Sequence, residues 1–78
     1  MKNQELLDFL VEELEIESEV LSLETNLTSL DEWNSLATIV LVAFSMENFS
    51  VKLTSEDFKE ITTVESLKVK IGLEKFTD

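Results

Sequence analysis

Histidine and cysteine are both absent from this chain of 78 residues. The first absence removes the commonest general base and the commonest metal ligand. The second removes disulfides and thiolate metal sites. Catalytic triads and the usual zinc sites are therefore not expected, and an enzyme is not the expected class. Proline is also absent, and glycine occurs once, as Gly72. Basic residues are scarce: six lysines and arginines face 17 acidic residues, for a net charge of −11. Such a surface repels phosphate backbones and anionic membranes, so neither nucleic acid nor membrane is an expected partner. It attracts proteins with basic patches and speeds their association. No basic N-terminal region precedes a long apolar segment, so no signal peptide is expected. The longest apolar run, Leu36 to Phe44, is broken only by Thr38. It falls well short of the ~20 residues that cross a bilayer. A cytoplasmic, monomeric protein is the expectation.

What is present suffices for one folded domain over 1–78. Hydrophobic residues make up 44% of the chain, too many for a disordered acidic tail. A chain of this size buries only roughly 60% of its unfolded surface, which leaves room for a modest core and no deep cleft. Helical spacing recurs, and strand patterning is weak. The expected fold is all-α: a four-helix bundle with a short third helix and a long loop between helices one and two.

The first helix is predicted over about 3–15, capped by Asn3, with Glu5 in its first turn. Leu7, Leu10, Val11 and Leu14 form its apolar stripe. The connection 16–33 carries Val20, Leu21, Leu23, Leu27 and Leu30, so it is expected to pack across the helices. Loops of that length are often functional. The second helix begins at Asn34 or Ser35 and ends near Asn48. The stretch 49–53 alternates apolar and polar residues, and is read as an extended linker because no partner strand is evident. A short third helix, 55–60, is capped by Thr54 or Ser55. The fourth, 64–71, is capped by Thr62 or Thr63, Thr62 with Glu65 having capping-box spacing. Gly72 fits the position after its end. The tail 73–78 is expected to fray.

The second helix has too many apolar sides. At about 100° per residue, Leu36, Ile39, Val40, Ala43 and Met46 gather on one side. Leu41, Val42, Phe44 and Phe49 gather on the other. A helix apolar all round is normally buried all round, yet three other helices in a chain this short can hardly cover it. One side is therefore expected to be exposed and to mark an interaction site. The alternatives are a fully wrapped central helix and a homodimer.

Ser35 stands at the start of that helix. A serine there is ordinarily an N-cap, but Asn34 caps equally well. If Asn34 caps, the Ser35 hydroxyl is free and exposed. Helix N-termini favour attached phosphate, so a phosphodiester on Ser35 would be well placed. No histidine activates Ser35 and no lysine is close in sequence, so any chemistry on it belongs to another enzyme.

The motif Asn34-Ser35-Leu36, within EWNSLATIVLV, resembles the Asp-Ser-Leu core of the acyl and peptidyl carrier proteins. Length, acidity, helix order and the segment Ile61-Thr62-Thr63-Val64-Glu65-Ser66-Leu67 extend the likeness over about residues 4–73. The resemblance implies that a phosphopantetheinyl transferase attaches 4′-phosphopantetheine from coenzyme A to Ser35. The arm then carries acyl or aminoacyl groups as thioesters to loading and transferring enzymes of fatty-acid, polyketide or related specialised biosynthesis. It further implies that partners grip Asn34, Leu36, Ile39, Val40, Ala43, Met46 and Glu47. Two departures stand out. Asn34 replaces the family's aspartate, which caps as well but removes a carboxylate that the transferase could read. Ala37, Val40 and Met46 stand where the family often has acids, leaving Glu47 alone. An apolar docking patch, a specialised pathway and a shallow salt dependence follow as expectations. Phe44 and Ser45 face the expected interior and point to small or poorly sequestered cargo. Trp33 is expected to pack the loop, and the acidic clusters 12–19 and 55–60 to be solvated surface. The competing class is an unmodified all-α interaction module that binds a protein through the apolar face of helix two.

Overall fold

Local capping chemistry sets most of the helix limits in the computed structural model, which describes residues 1–77, the side chain of Val20 excepted. Helix α1 spans Asn3–Leu14, α2 Ser35–Phe49, α3 Ser55–Glu60 and α4 Val64–Ile71. Short 3-10 turns occupy Ser18–Val20, Leu27–Ser29 and Leu73–Lys75. Among the described residues there is no strand, only the isolated bridges Lys2–Thr77 and Asn26–Thr63. Among the described residues the protein is all-α with four α-helices.

Helix α1 departs from expectation at its start. Lys2, not Asn3, is the N-cap, and its N–H donates to Glu5 Oε1 at 2.8 Å. Asn3 is already helical because its N–H donates to Thr77 O at 2.7 Å, in a pairing with the tail. The buried stripe is Leu6, Leu10 and Leu14, with Leu7 and Val11 only half-buried. The stripe is turned by one residue because Phe9 stacks on Phe44 of α2, ring centres 4.1 Å apart. Glu15 then takes a left-handed conformation, φ 57°, and ends the helix.

Residues 15–34 link α1 to α2. Ile16 and Leu27 are buried, and Leu21, Leu23 and Leu30 are half-buried against the core. Leu27 N–H donates to Thr62 O at 2.6 Å, and Glu65 N–H donates to Leu23 O at 3.0 Å, tying this segment to the start of α4. Trp33 packs on Phe58 of α3, with ring centres 6.3 Å apart. Phe49 closes α2, and residues 50–54 form a linker without regular structure.

Both short helices are held by reciprocal caps. Thr54 Oγ1 accepts from Asp57 N–H at 3.2 Å, and Asp57 Oδ2 accepts from Thr54 N–H at 2.9 Å. Thr63 Oγ1 accepts from Ser66 N–H at 3.1 Å, and Ser66 Oγ accepts from Thr63 N–H at 2.8 Å. The second box is thus Thr63 with Ser66, one residue beyond the expected Thr62 with Glu65. Gly72 follows α4 at φ 133°, where a side chain would be strained.

The tail, expected to fray, is packed over 73–77. Phe76 is buried against Phe49, ring centres 5.3 Å apart, and Thr77 N–H donates to Met1 O at 2.9 Å. Apolar burial and backbone pairing with the N-terminal segment hold it there. Asp78 lies outside the described residues.

Lys70 of α4 ties α3 down. It pairs with Glu60 and lies 3.9 Å from Asp57 Oδ1. The caps from Thr54 hold the Asp57 carboxyl below its ordinary range, and the bond to Glu60 raises Lys70.

Candidate functional site

Asn34 is the cap of α2. Its Oδ1 accepts from Leu36 N–H at 3.0 Å and from Ala37 N–H at 3.2 Å, while its Nδ2 donates to Asp31 O at 3.4 Å. The single side chain therefore closes the helix start and ties it to the preceding turn.

With the cap supplied, Ser35 becomes the first helical residue. It is exposed, and among the described residues no group is hydrogen-bonded to its hydroxyl. Its carbonyl accepts from Thr38 Oγ1 at 2.6 Å. One expectation needs revision here. Asn34 already takes two N–H groups of the first turn, so a phosphate on Ser35 would have the helix dipole and little free N–H beside it. Nothing polarises the hydroxyl, so it has no activation of its own. A group attached at Oγ projects into solvent without displacing any protein contact, so the residues present fit an attached arm.

The outer face of α2 runs away from Ser35. Leu36 and Ile39 are 66% and 65% exposed, and Met46 is 47% exposed. Ala43 and Glu47 are exposed too, and Val40 is half-buried. The opposite face, Leu41, Phe44 and Ser45, is buried. Ala37 belongs to that inner side, at 1% exposure. Its expected outward position is incorrect, because one 100° step from Leu36 turns it into the core. Ser45 is fully buried and donates its hydroxyl proton to Val51 O.

Grooves flank the exposed ridge. On the α1 side lies one of about 370 Å³, lined by Glu13, Glu15, Asp31, Glu32, Leu36 and Val40 among others. A smaller groove continues that flank past Phe9, Val40, Ala43 and Glu47. On the α3 side lies a groove of about 520 Å³, lined by Ile39, Val42, Met46, Leu53, Phe58 and neighbours, with no ionisable side chain.

Sequence reasoning located Ser35 and the ridge, since both follow from local pattern. The expectation that 12–19 is solvated surface agrees with the exposure of Glu12, Glu13, Glu15, Glu17 and Glu19, but it does not include the neighbourhood of Glu13 and Glu15 with Asp31 and Glu32. Only the path of residues 15–34 brings Glu13 and Glu15 beside Asp31 and Glu32, and no periodicity reports that. Among the described residues, no cluster of histidine, cysteine or carboxylate side chains is placed to hold a metal ion, and no helix is long and apolar enough to cross a membrane. No family model, curated protein or solved structure matches the chain.

Proposed function

We propose that this protein is a carrier of the acyl and peptidyl carrier type, loaded on Ser35, with its helices in that family's four-helix bundle and its long connection as the family's first loop. The observation that carries the proposal is the exposed Ser35 hydroxyl, free of protein partners at the head of an unpartnered apolar ridge. A carrier needs a tether that other enzymes can reach, beside a surface they can hold.

Loading is a phosphoryl transfer. Ser35 Oγ forms a bond to the phosphopantetheine phosphorus of coenzyme A. The bond from that phosphorus to the nucleotide phosphate oxygen breaks, and the serine proton passes to a base of the transferase. The arm supplies a thiol that holds the acyl or aminoacyl group as a thioester. This chain contributes the address: Asn34 fixes the helix start, and Leu36, Ile39, Val40, Ala43, Met46 and Glu47 form the surface that a partner grips.

The interior supports small or poorly sequestered cargo. Phe9 stacks on Phe44, Phe44 meets Phe49 edge-to-face and Phe49 meets Phe76 at a tilt, at ring distances of 4.1, 5.8 and 5.3 Å, so four rings pack in succession behind α2. A long acyl chain that shifted the NMR signals of Phe44 and Leu41 would overturn that part.

A thiol assay tests the proposal against a clean background, because the chain has no cysteine. After incubation with coenzyme A and a broad-specificity transferase, then desalting, one thiol per chain is expected for the wild type and none for Ser35→Ala. No thiol on the wild type would favour the second reading, an unmodified interaction module. The loss of the family's aspartate to Asn34 and the breadth of the apolar ridge are what favour that reading.

A further inference from the structure

The amines of this chain stand apart from Ser35. Its basic residues are six lysines, Lys2, Lys52, Lys59, Lys68, Lys70 and Lys75, and none falls between Asn3 and Val51. Helices α1 and α2 and the whole connection between them therefore carry no side-chain amine. The end of α1 lies beside the start of α2, since Leu14 and Glu15 line one groove with Asn34 and Leu36. From there α2 runs about 20 Å, at about 1.5 Å per residue, to its other end at Phe49. Four lysines gather around that far end. Lys52 follows Phe49 by three residues. Lys75 Nζ lies 6.0 Å from the centre of the Phe49 ring, and Lys68 Nζ lies 5.9 Å from that of Phe76, which packs on Phe49. Lys2 pairs with Thr77, and the Met1 amine donates to Lys75 O at 2.8 Å. The remaining two face carboxylates: Lys59 lies 3.2 Å from Glu56, and Lys70 pairs with Glu60. Among the described residues, no amine lines a groove beside α2. The acidic flank holds Glu13, Glu15, Asp31 and Glu32, and the α3-side lining has no ionisable group.

We infer that this placement protects an acyl thioester tethered at Ser35 from attack by the protein's own amines. It has that use only if Ser35 carries the proposed arm. The reaction avoided is an acyl transfer. A neutral amine attacks the thioester carbonyl carbon, the carbon–nitrogen bond forms and the carbon–sulfur bond breaks. The amine's proton passes to the departing thiolate. The product is an amide, far less reactive than the thioester, so the cargo is lost to later enzymes. Other attackers are few. Cysteine and histidine are absent, and hydroxyls are weak nucleophiles without an activating base. Lysine is left, and its rate follows the effective concentration of amine that the tethered thioester meets. Distance along α2 keeps that concentration low for the four lysines at the far end. The hydrogen bond to Glu60 raises the pKa of Lys70 and leaves less of its neutral amine. Lys59 is the critical case, because its neighbour Phe58 packs on Trp33, two residues before Ser35.

The test places the thioester chemically, without a transferase. In Ser35→Cys the thiol at position 35 is the only one in the chain. A maleimide-linked pantetheine arm ending in an acetyl thioester is coupled to it. Hydroxylamine then removes thioesters and leaves amides, so intact mass counts the acetyl groups moved to amines. Two further variants of this parent each add one lysine at an exposed apolar position. Ile39→Lys lies on α2, one turn from residue 35. Val69→Lys lies near the end of α4, whose tail packs on Phe49. Circular dichroism checks folding, and Leu36→Lys, exposed to the same degree, replaces Ile39→Lys if that variant unfolds. The parent should lose its acetyl group mainly to water. The Ile39→Lys protein should form amide about tenfold faster than the parent, with the acetyl group mapped to position 39. The Val69→Lys protein should stay within about twofold of the parent. Amide on Lys59 or another native lysine as the parent's main product, no gain in Ile39→Lys, or equal gains in both lysine variants would each overturn the inference. Transferase loading of wild-type Ser35 is read separately by the thiol assay. Its failure would remove the carrier reading and leave the amide measurement interpretable, whereas amide on the parent would overturn the protection with loading intact.

Discussion

At the scale of single residues, Asn34 carries the most consequence. Its carbonyl oxygen does what an aspartate would do for Leu36 and Ala37, while its amide adds a bond to Asp31 O that an aspartate cannot make. Asn34→Asp should therefore keep the helix and change unfolding free energy by no more than about 1 kcal/mol. If a carboxylate before the serine aids the transferase, the same variant should be loaded on Ser35 faster than wild type. Loading rates by intact mass decide this, and a slower rate would show that the amide link is what the transferase needs. Ser45 is the second informative residue, a hydroxyl in the core bonded to Val51 O. Ser45→Ala leaves that carbonyl without its side-chain donor and should lower stability in urea by about 1–3 kcal/mol. A change indistinguishable from zero would contradict the bond.

At the scale of elements, α2 has two apolar faces with different work. Leu41→Ala, on the inner face, should lower stability by about 2–5 kcal/mol. Ile39→Ser, on the outer face, should alter stability by less than about 0.5 kcal/mol while weakening partner binding. Equal effects on stability would mean that both faces are covered. Helix α3 has its own signature in pH. The Thr54 bonds favour ionised Asp57, so its folded value lies below the ordinary one. The stabilisation is present above the ordinary aspartate range and is lost as pH falls through the lowered folded value. The protection of the α3 amides, taken relative to the intrinsic exchange rate at each pH, should fall on acidification, and Asp57→Ala should remove that pH dependence.

These elements also show what local sequence can report. The limits of α3 and α4, 55–60 and 64–71, match those expected because threonine caps and acidic first turns are local chemistry. The face of α1 is misjudged by one residue, since Leu6 and Phe9 turn inward for Phe44, which lies 35 positions further on. The contacts of the tail are non-local in the same way: Phe76 finds Phe49, and Thr77 pairs with the N-terminal backbone. Ser35 and the α2 strip are legible because both are contiguous. The acidic flank is not, because its members come together only through the course of residues 15–34.

At the scale of the whole molecule, the charge is divided. Lysines are confined to Lys2 and to the chain from Lys52 onward, where most of them pair with acids of α3 and α4 or lie over aromatic rings. The rest of the chain presents unbalanced carboxylates around an apolar ridge with a free serine at its head. That arrangement suits the proposed carrier, whose loading turns on the serine. The most direct measurement is the intact mass of wild type and Ser35→Ala after incubation with coenzyme A and a broad-specificity phosphopantetheinyl transferase. A gain of one phosphopantetheinyl group is expected on the wild type and none on the variant. An unchanged wild-type mass, or the same gain on both proteins, would contradict the proposal.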